Sequence, residues 1–176
     1  MRIISGYLKS LHFESPNNTH THPMSEKMRG ALFNILGDIE KLTVFDAYGG
    51  TGAISFEAIS RGAKSSLITE NDKSALKTIV RNINLLHLSD KVHVVNANCI
   101  TWSKSHISTQ FDLVICDPPY DDIHDNQLEG LASNVIVGGL LIISLPTDYH
   151  SLKFKDFEIE LSKEYGDGSL FFYRKK

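Results

Sequence analysis

Leu42-Thr43-Val44-Phe45-Asp46-Ala47-Tyr48-Gly49-Gly50-Thr51-Gly52 is the stretch that decides the fold. Leu42 to Asp46 reads as a strand, the glycine-rich run after it as a loop, and Ala53 to Ser60 as a helix closed by Arg61-Gly62. Glycines in such a loop permit tight turning and let a ligand approach the backbone closely. The spacing is neither the dinucleotide Gly-x-Gly-x-x-Gly nor a Walker loop, which needs Gly-Lys-Ser/Thr. Asp46 stands just before the glycines, where a carboxylate can anchor the loop or receive a cationic amine.

Downstream, the strand-and-helix alternation continues. Leu67-Ile68-Thr69-Glu70 reads as a second strand that ends on an acid, 18 positions beyond Gly52. An acid about 20 residues past a glycine loop, at the end of strand two, accepts the ribose hydroxyls of a nucleoside cofactor. Ser74 to Leu86 follows as a helix with Ala75, Ile79, Ile83 and Leu86 on its apolar face. Val92-His93-Val94-Val95 is strand three, and Asn98 after it is either a plain turn residue or a partner for an adenine edge. Thr101 to Ser108 forms a short helix or loop around Trp102.

Phe111 to Cys116 then ends in apolar, partly β-branched residues and is closed by Asp117-Pro118-Pro119-Tyr120, so it reads as a buried parallel strand. The prolines lack N–H groups and push their preceding residues into extended conformations. The exit loop is therefore stiff, with the carbonyls of Asp117 and Pro118 available as acceptors. Together with the Asp117 carboxylate and the Tyr120 ring, they suit a planar group carrying an exocyclic NH2. Ligands of open α/β sheets bind outside the carboxyl ends of the strands, where this loop would lie. Residues 125–134 look helical, Gly138 to Ser144 turns into strand five, and Phe157–Leu161 with Leu170–Tyr173 make a closing hairpin around Gly166-Asp167-Gly168.

Upstream, residues 1–14 predict a short β-hairpin and residues 15–23 a polar loop. His20 and His22 lack the further Cys or His that a metal site needs. Met28, Ala31, Leu32, Ile35 and Leu36 mark one face of a helix, which Ser25 can cap and Gly37 can end. Arg29 shares a rim of that face with Ser25 and is either a solvated charge or a cation reaching for a bound anion.

Composition is that of an ordinary globular domain, with 176 residues, 41% hydrophobic and 22% charged side chains. No apolar run approaches the ~20 residues that span a bilayer, and Met1 to Gly6 has no signal-peptide core, so a cytoplasmic protein is expected. Cys99 and Cys116 are expected as buried or site-lining thiols. The net charge is −3, but residues 1–30 carry +2, from Arg2, Lys9, Lys27 and Arg29 against Glu14 and Glu26, which leaves −5 elsewhere. A basic front end on an acidic body is compatible with phosphate contacts.

The order of motifs is glycine loop, acid, Asn, then Asp-Pro-Pro-Tyr, after strands one to four. It resembles a class I S-adenosylmethionine-dependent methyltransferase of the amino-methylating type, and more narrowly the RsmD family of ribosomal RNA guanine-N2 methyltransferases. The likeness also rests on Met1 to Gly6, His22 to Leu36, Gly52 to Ala63 and Tyr165-Gly166-Asp167. Departures are His22 where the family usually has Arg, Met24 where it usually has Thr, and Asn98 where Asp is more usual.

The resemblance implies a Rossmann-like α/β fold: a mostly parallel seven-stranded sheet with helices on both faces, plus the N-terminal hairpin. It divides the chain into a docking extension, 1–22, and a catalytic domain, 23–176. It implies S-adenosylmethionine as cofactor, S-adenosylhomocysteine as product, and no metal. The cofactor would lie against Asp46, Tyr48, Gly49, Gly50, Thr51, Gly52, Glu70, Asn71, Asn98, Cys99 and Asp117. Asp117, Pro118, Pro119 and Tyr120 would hold the target amine, the Tyr120 ring rather than its hydroxyl carrying the contact. Arg2, Lys9, His22, Ser25 and Arg29 would face the RNA, a guanine of 16S ribosomal RNA in a 30S particle, and the protein would act as a monomer.

Two other functions fit parts of this pattern. Amino-methyltransferases of DNA or of protein glutamine more often place Asn before Pro-Pro, and the DNA enzymes carry a recognition insertion that is not visible here. A non-catalytic RNA-binding assembly factor would not need Asp117 and Tyr120.

Overall fold

The computed structural model describes residues 1–16, 24–166 and 168–176, so His20 and His22 lie outside it, as does Asp167. In chain order the elements are α1 (Glu26–Leu36), β1 (Thr43–Asp46), α2 (Ala53–Ser60), β2 (Ser65–Glu70), α3 (Lys73–Leu85), β3 (Val92–Asn96), α4 (Cys99–Ser105), β4 (Phe111–Cys116), α5 (Asp125–Ala132), β5 (Val135–Pro146), β6 (Phe157–Tyr165) and β7 (Gly168–Lys175). The strands form one sheet in the order β3-β2-β1-β4-β5-β7-β6. β3 through β5 are parallel, while β7 pairs antiparallel with both β5 and β6. The expected Rossmann-like architecture is the one observed. No described helix is long and apolar enough to cross a membrane.

Side chains alternate through the sheet into two cores. Val44, Ile68, Ile115 and Ile142 pack with α1, α2, α3 and the N-terminal segment. Phe45, Val114, Leu141 and Ile143 pack with α4 and α5. Both faces of the parallel strands are thus covered, which explains their near-continuous apolar runs. The chain winds outward from β1 to β3 on one side and from β4 to β5 on the other. The crevice at this reversal, between the carboxyl ends of β1 and β4, is where ligands of such sheets bind.

The expected N-terminal hairpin is present and short: an antiparallel bridge pairs Arg2 with His12, Ile3 donates to the Leu11 carbonyl at 2.9 Å and Phe13 to the Met1 carbonyl at 3.0 Å. The N–H groups of the following residues turn to α2. Ile4 and Ser5 donate to the two carboxylate oxygens of Glu57 at 2.8 and 3.0 Å. Tyr7 and Leu8 donate to the Ser60 carbonyl and hydroxyl. Gly6 turns with φ +84°, and its Cα lies against the Ser60 carbonyl so closely that a side chain has no room. Ile3 and Phe13 are 1% and 4% exposed, so this segment is part of the main core.

Glu57 is fully buried on α2. It also accepts from the Arg61 Nε at 2.8 Å and faces the Arg29 Nε at 4.0 Å. Arg29 was expected to face RNA; instead it is 1% exposed and donates to the carbonyls of Arg2 and Met24. Its neighbours on the apolar face of α1 carry it inward, where it becomes a structural cation tying the N-terminal segment to α1. Burial lowers its pKa, and Glu57 opposes that shift.

Removing one partner of a buried ion pair leaves an uncompensated charge and costs about 3–5 kcal/mol. Glu57→Ala is therefore expected to lower urea stability by about that amount and to expose residues 1–14 to proteolysis. Glu40→Ala, at a solvent-facing pair with Lys41, should be nearly silent in the same assay.

Candidate active site

Parallel register aligns the strand ends. Asp46 sits opposite Ile68 and Ile115, and Glu70 opposite Asn96. Asp46, Glu70 and Asp117 therefore arrive on one rim, around the loop of residues 47–52. The loop is pinned to β2: Gly49 donates to the Thr69 carbonyl at 3.0 Å, and Gly50 to the Glu70 Oε2 at 2.7 Å.

The glycines have different duties. A Cβ on Gly49 would stand 2.5 Å from the Ile68 Cγ2, so packing against β2, rather than ligand approach, demands glycine there. Gly50 and Gly52 take left-handed φ of +53° and +78°, and Gly52 caps α2. Thr51 is buried and its hydroxyl accepts from the Ala53 N–H.

Glu70 also accepts from the Asp72 N–H at 2.7 Å. A carboxylate offers about four lone-pair sites, so both oxygens keep capacity for hydroxyl donors. Asn71 is exposed in the same turn, and Asp72 caps α3 through the Ala75 N–H.

Asn98 does not serve as the free acceptor expected of it. Its Oδ1 takes the Ile100 and Thr101 N–H groups at 3.0 and 3.2 Å and caps α4. Cap geometry leaves only its amide NH2 as a donor toward a ligand. Behind it, Cys99 is buried and hydrogen-bonded to Tyr48. Burial pushes the Cys99 thiol up to about 11 and the Tyr48 phenol higher still, so both remain neutral. Both cysteines are buried free thiols, as expected.

Asp46 is 1% exposed and accepts from the Ser55 hydroxyl at 2.8 Å through Oδ2, while Oδ1 has no partner. Burial raises its pKa to about 8, with smaller contributions from Asp117 and Glu70, so its folded form is protonated at neutral pH.

Asp117 is held by the Ser144 hydroxyl and the Met24 backbone N–H. Burial raises its pKa, those two donors pull it part of the way back, and the balance stands at about 6, so it is mostly ionised at pH 7. Pro118 is buried and Pro119 exposed, and the Asp122 N–H closes the turn on the Pro119 carbonyl at 3.0 Å. The Tyr120 ring is 38% exposed, and its hydroxyl lies 2.8 Å from the Ser144 Oγ. A Cβ on Gly168 would run into that hydroxyl. Since a carboxylate only accepts, the donation runs from Tyr120 to Ser144 to Asp117.

Ser144 and Gly168 escaped the sequence reading. Ser144 was read only as the last residue of strand five, though a hydroxyl ending an apolar strand beside strand four was a usable signal. Gly168 reads in sequence only as a turn glycine of the closing hairpin; its packing against Tyr120 and Met28 is tertiary. Of the residues expected to face RNA, Arg2 and Lys9 are exposed, Arg2 being paired with Glu26 at 3.1 Å. Ser25 caps α1 through the Met28 N–H. Arg29 is buried, and His22 lies outside the described residues.

The family model described as Conserved hypothetical protein 95 matches residues 1–174. The chain belongs to this family, the RsmD family. A Ribosomal RNA small subunit methyltransferase D from Buchnera aphidicola is 32% identical over 119 residues, 67% of this chain and 62% of that protein. The match to a second Buchnera protein of the same name covers 61% of its length, so the chain spans about three fifths of these curated relatives. A putative rRNA methyltransferase of Bacillus subtilis is 28% identical over 125 residues, 69% of this chain and 68% of that one. Among solved structures, a putative methyltransferase from Escherichia coli superposes with a TM-score of 0.89 at 22% identity, covering 100% of this chain and 98% of that one. That likeness establishes the fold.

The state of Asp46 is testable through stability. Its folded pKa, about 8, lies above the ordinary 3.8, so between those values the folded chain holds one proton more than the unfolded chain. Stability must then fall as pH rises, by up to about 1.4 kcal/mol per pH unit from this group. Asp46→Asn lacks that slope. Urea titrations from pH 5 to 8 should show the variant gaining on the wild type steadily; a constant difference would mean that Asp46 is ionised in the fold.

Proposed function

We propose that the chain is an S-adenosylmethionine-dependent methyltransferase acting on the exocyclic N2 amine of a guanine in 16S ribosomal RNA, within a 30S particle. The observation that carries this reading is the Asp117–Ser144–Tyr120 network beside the glycine loop. Membership of the family and the names of the relatives support the substrate class.

The rim fits the cofactor chemically. Asp46, Glu70 and Asp117 surround a loop at the switch point, a setting for a ligand bearing a sulfonium and an ammonium; such a ligand would favour release of the Asp46 proton, and the buried Asp46 Oδ1 lacks a partner. Glu70 would take the ribose hydroxyls, the 49–52 loop would face the methionine end, and the Asn98 NH2 would donate to the base. When bound, the cofactor supplies a methyl group already activated by its sulfonium.

The protein's part is placement and electrostatics. The lone pair of a guanine N2 amine is delocalised into the ring, so the amine is a poor nucleophile. Accepting its two hydrogens on the Asp117 carboxylate and the Pro118 carbonyl favours a more tetrahedral nitrogen. The Tyr120 ring stacks on the base and fixes its plane, as aromatic side chains do with splayed-out RNA bases. Positive charge that develops on nitrogen is stabilised by Asp117, already ionised and aimed before reaction. A target paired within a helix must be flipped out to reach this loop.

The test is incubation with methyl-labelled cofactor and separate pools of 30S particles, naked 16S RNA, DNA and protein, followed by nucleoside and amino-acid analysis. Label in N2-methylguanosine is expected; label in a DNA base or in glutamine overturns the assignment. Asp117→Ala should fold, bind cofactor and lose on the order of 10²-fold in single-turnover transfer. The Tyr120 hydroxyl matters through its anchor. Tyr120→Phe is expected to slow transfer by about 0.5–1.5 kcal/mol, the usual net value of a hydrogen bond. Combining it with Ser144→Ala should add nothing beyond Ser144→Ala alone.

A further inference from the structure

The acidic body of the chain hides a concentrated basic surface. α3 carries Lys73, Lys77 and Arg81 and no Asp or Glu. Its +3 stands in a chain of net −3, so all other residues together carry −6. The three cations are four residues apart, all exposed, and therefore form one stripe along the helix. At 1.5 Å per residue, successive charges advance about 6 Å and the stripe spans about 12 Å.

The stripe begins three residues after Glu70, at the ligand rim, and runs away from it along α3. Beside it, the backbone of Glu14 is fixed by two hydrogen bonds of 2.9 Å with the Asn82 amide. Between that segment and α3 lies a cleft of about 480 Å3 lined by Glu14, Ser15, Ser74, Lys77, Thr78 and Arg81. Glu14 is the acid of this cleft and is neutralised by Arg81 at 3.1 Å. The rest of the lining is cations and hydroxyls, the donor set that contacts phosphate oxygens.

We infer that the exposed face of α3, with the cleft beside it, is a phosphate-tracking surface for the RNA backbone, distinct from the front-end contacts of Arg2 and Lys9. This rests on the RNA reading proposed above. A strand whose target base sits at Asp117 would lay its flanking phosphates along Lys73, Lys77 and Arg81. Such contacts carry no sequence information; they set position and make binding salt-dependent.

The experiment compares two full-length triple variants with equal charge loss. One is Lys73→Gln/Lys77→Gln/Arg81→Gln on α3. The other is Lys153→Gln/Lys155→Gln/Lys163→Gln, exposed positions in and before the edge strand β6, at the far end of the sheet. Binding to 30S particles is measured between about 50 and 200 mM salt, the range over which phosphate contacts are lost. Calorimetry with S-adenosylhomocysteine and thermal melts check that each variant is folded.

The α3 triple is expected to flatten the log–log salt slope by about 1.5 to 2.5, at 0.7–0.9 for each phosphate contact of Lys73 and Lys77 and less for Arg81, which shares its charge with Glu14, with cofactor affinity unchanged. The β6-side triple should keep the wild-type slope. Equal slopes in all three proteins, or equal flattening in both variants, would overturn the inference while leaving the RNA reading intact. Absence of particle and RNA binding by the wild type would instead overturn the RNA reading itself.

Discussion

A carboxylate in the crevice of a parallel sheet loses its water, and desolvation favours its neutral form. Asp117 is in that position, and the arrangement around it works against that tendency. A hydroxyl from β5 and a backbone N–H from the start of α1 both reach its oxygens. The hydroxyl is itself held by Tyr120, which rests where β7 has no side chain. Four parts of the chain that are remote in sequence thus converge on one charge. The strand order brings them together, since β5 lies beside β4 and β7 beside β5.

Glu57 plays the corresponding part on α2. It is fully buried, yet it receives two backbone N–H groups and an Arg61 guanidinium and stands beside the Arg29 cation. Arg29 in turn holds the carbonyl of Met24, whose N–H serves Asp117. The buried ion cluster and the rim carboxylate are therefore joined through a single residue, Met24. Any change that loosens Glu57 should be felt at Asp117 through the position of that N–H.

Much of this was legible in the sequence. Apolar runs ended by Asp46, Glu70 and Asp117 placed three carboxylates on one rim, because parallel strands share a direction and their ends share an edge. Local chemistry likewise marked the glycine loop, the α1 cap at Ser25 and the stiff Pro118-Pro119 exit. What sequence did not reveal was the destination of individual polar groups. Asn98 looks in sequence like a ligand partner, but the N-terminus of α4 takes its oxygen first. Arg29 looks in sequence like an RNA contact, but its partner Glu57 lies 28 positions away and holds it inside. The N-terminal hairpin keeps its cross-strand bonds, and Ile4 and Ser5 beside them donate to the same carboxylate. Gly49 looked like a ligand-facing glycine and proves to be fixed by Ile68. Each of these is a competition between a local role and a tertiary partner, and periodicity does not report the partner.

On the proposed function, Asp117 is an ionised acceptor whose charge is kept by Ser144. The most direct measurement is the pH dependence of single-turnover methyl transfer to 30S particles with saturating S-adenosylmethionine, for wild type and Ser144→Ala. Wild-type transfer should rise with pH through an apparent pKa that reports Asp117, which lies at about 6 in the unliganded site. Removing the Ser144 hydroxyl should move that pKa upward, so that Ser144→Ala loses most at acidic pH and recovers toward the wild-type rate as pH rises. A pH profile that Ser144→Ala leaves in place would contradict the account.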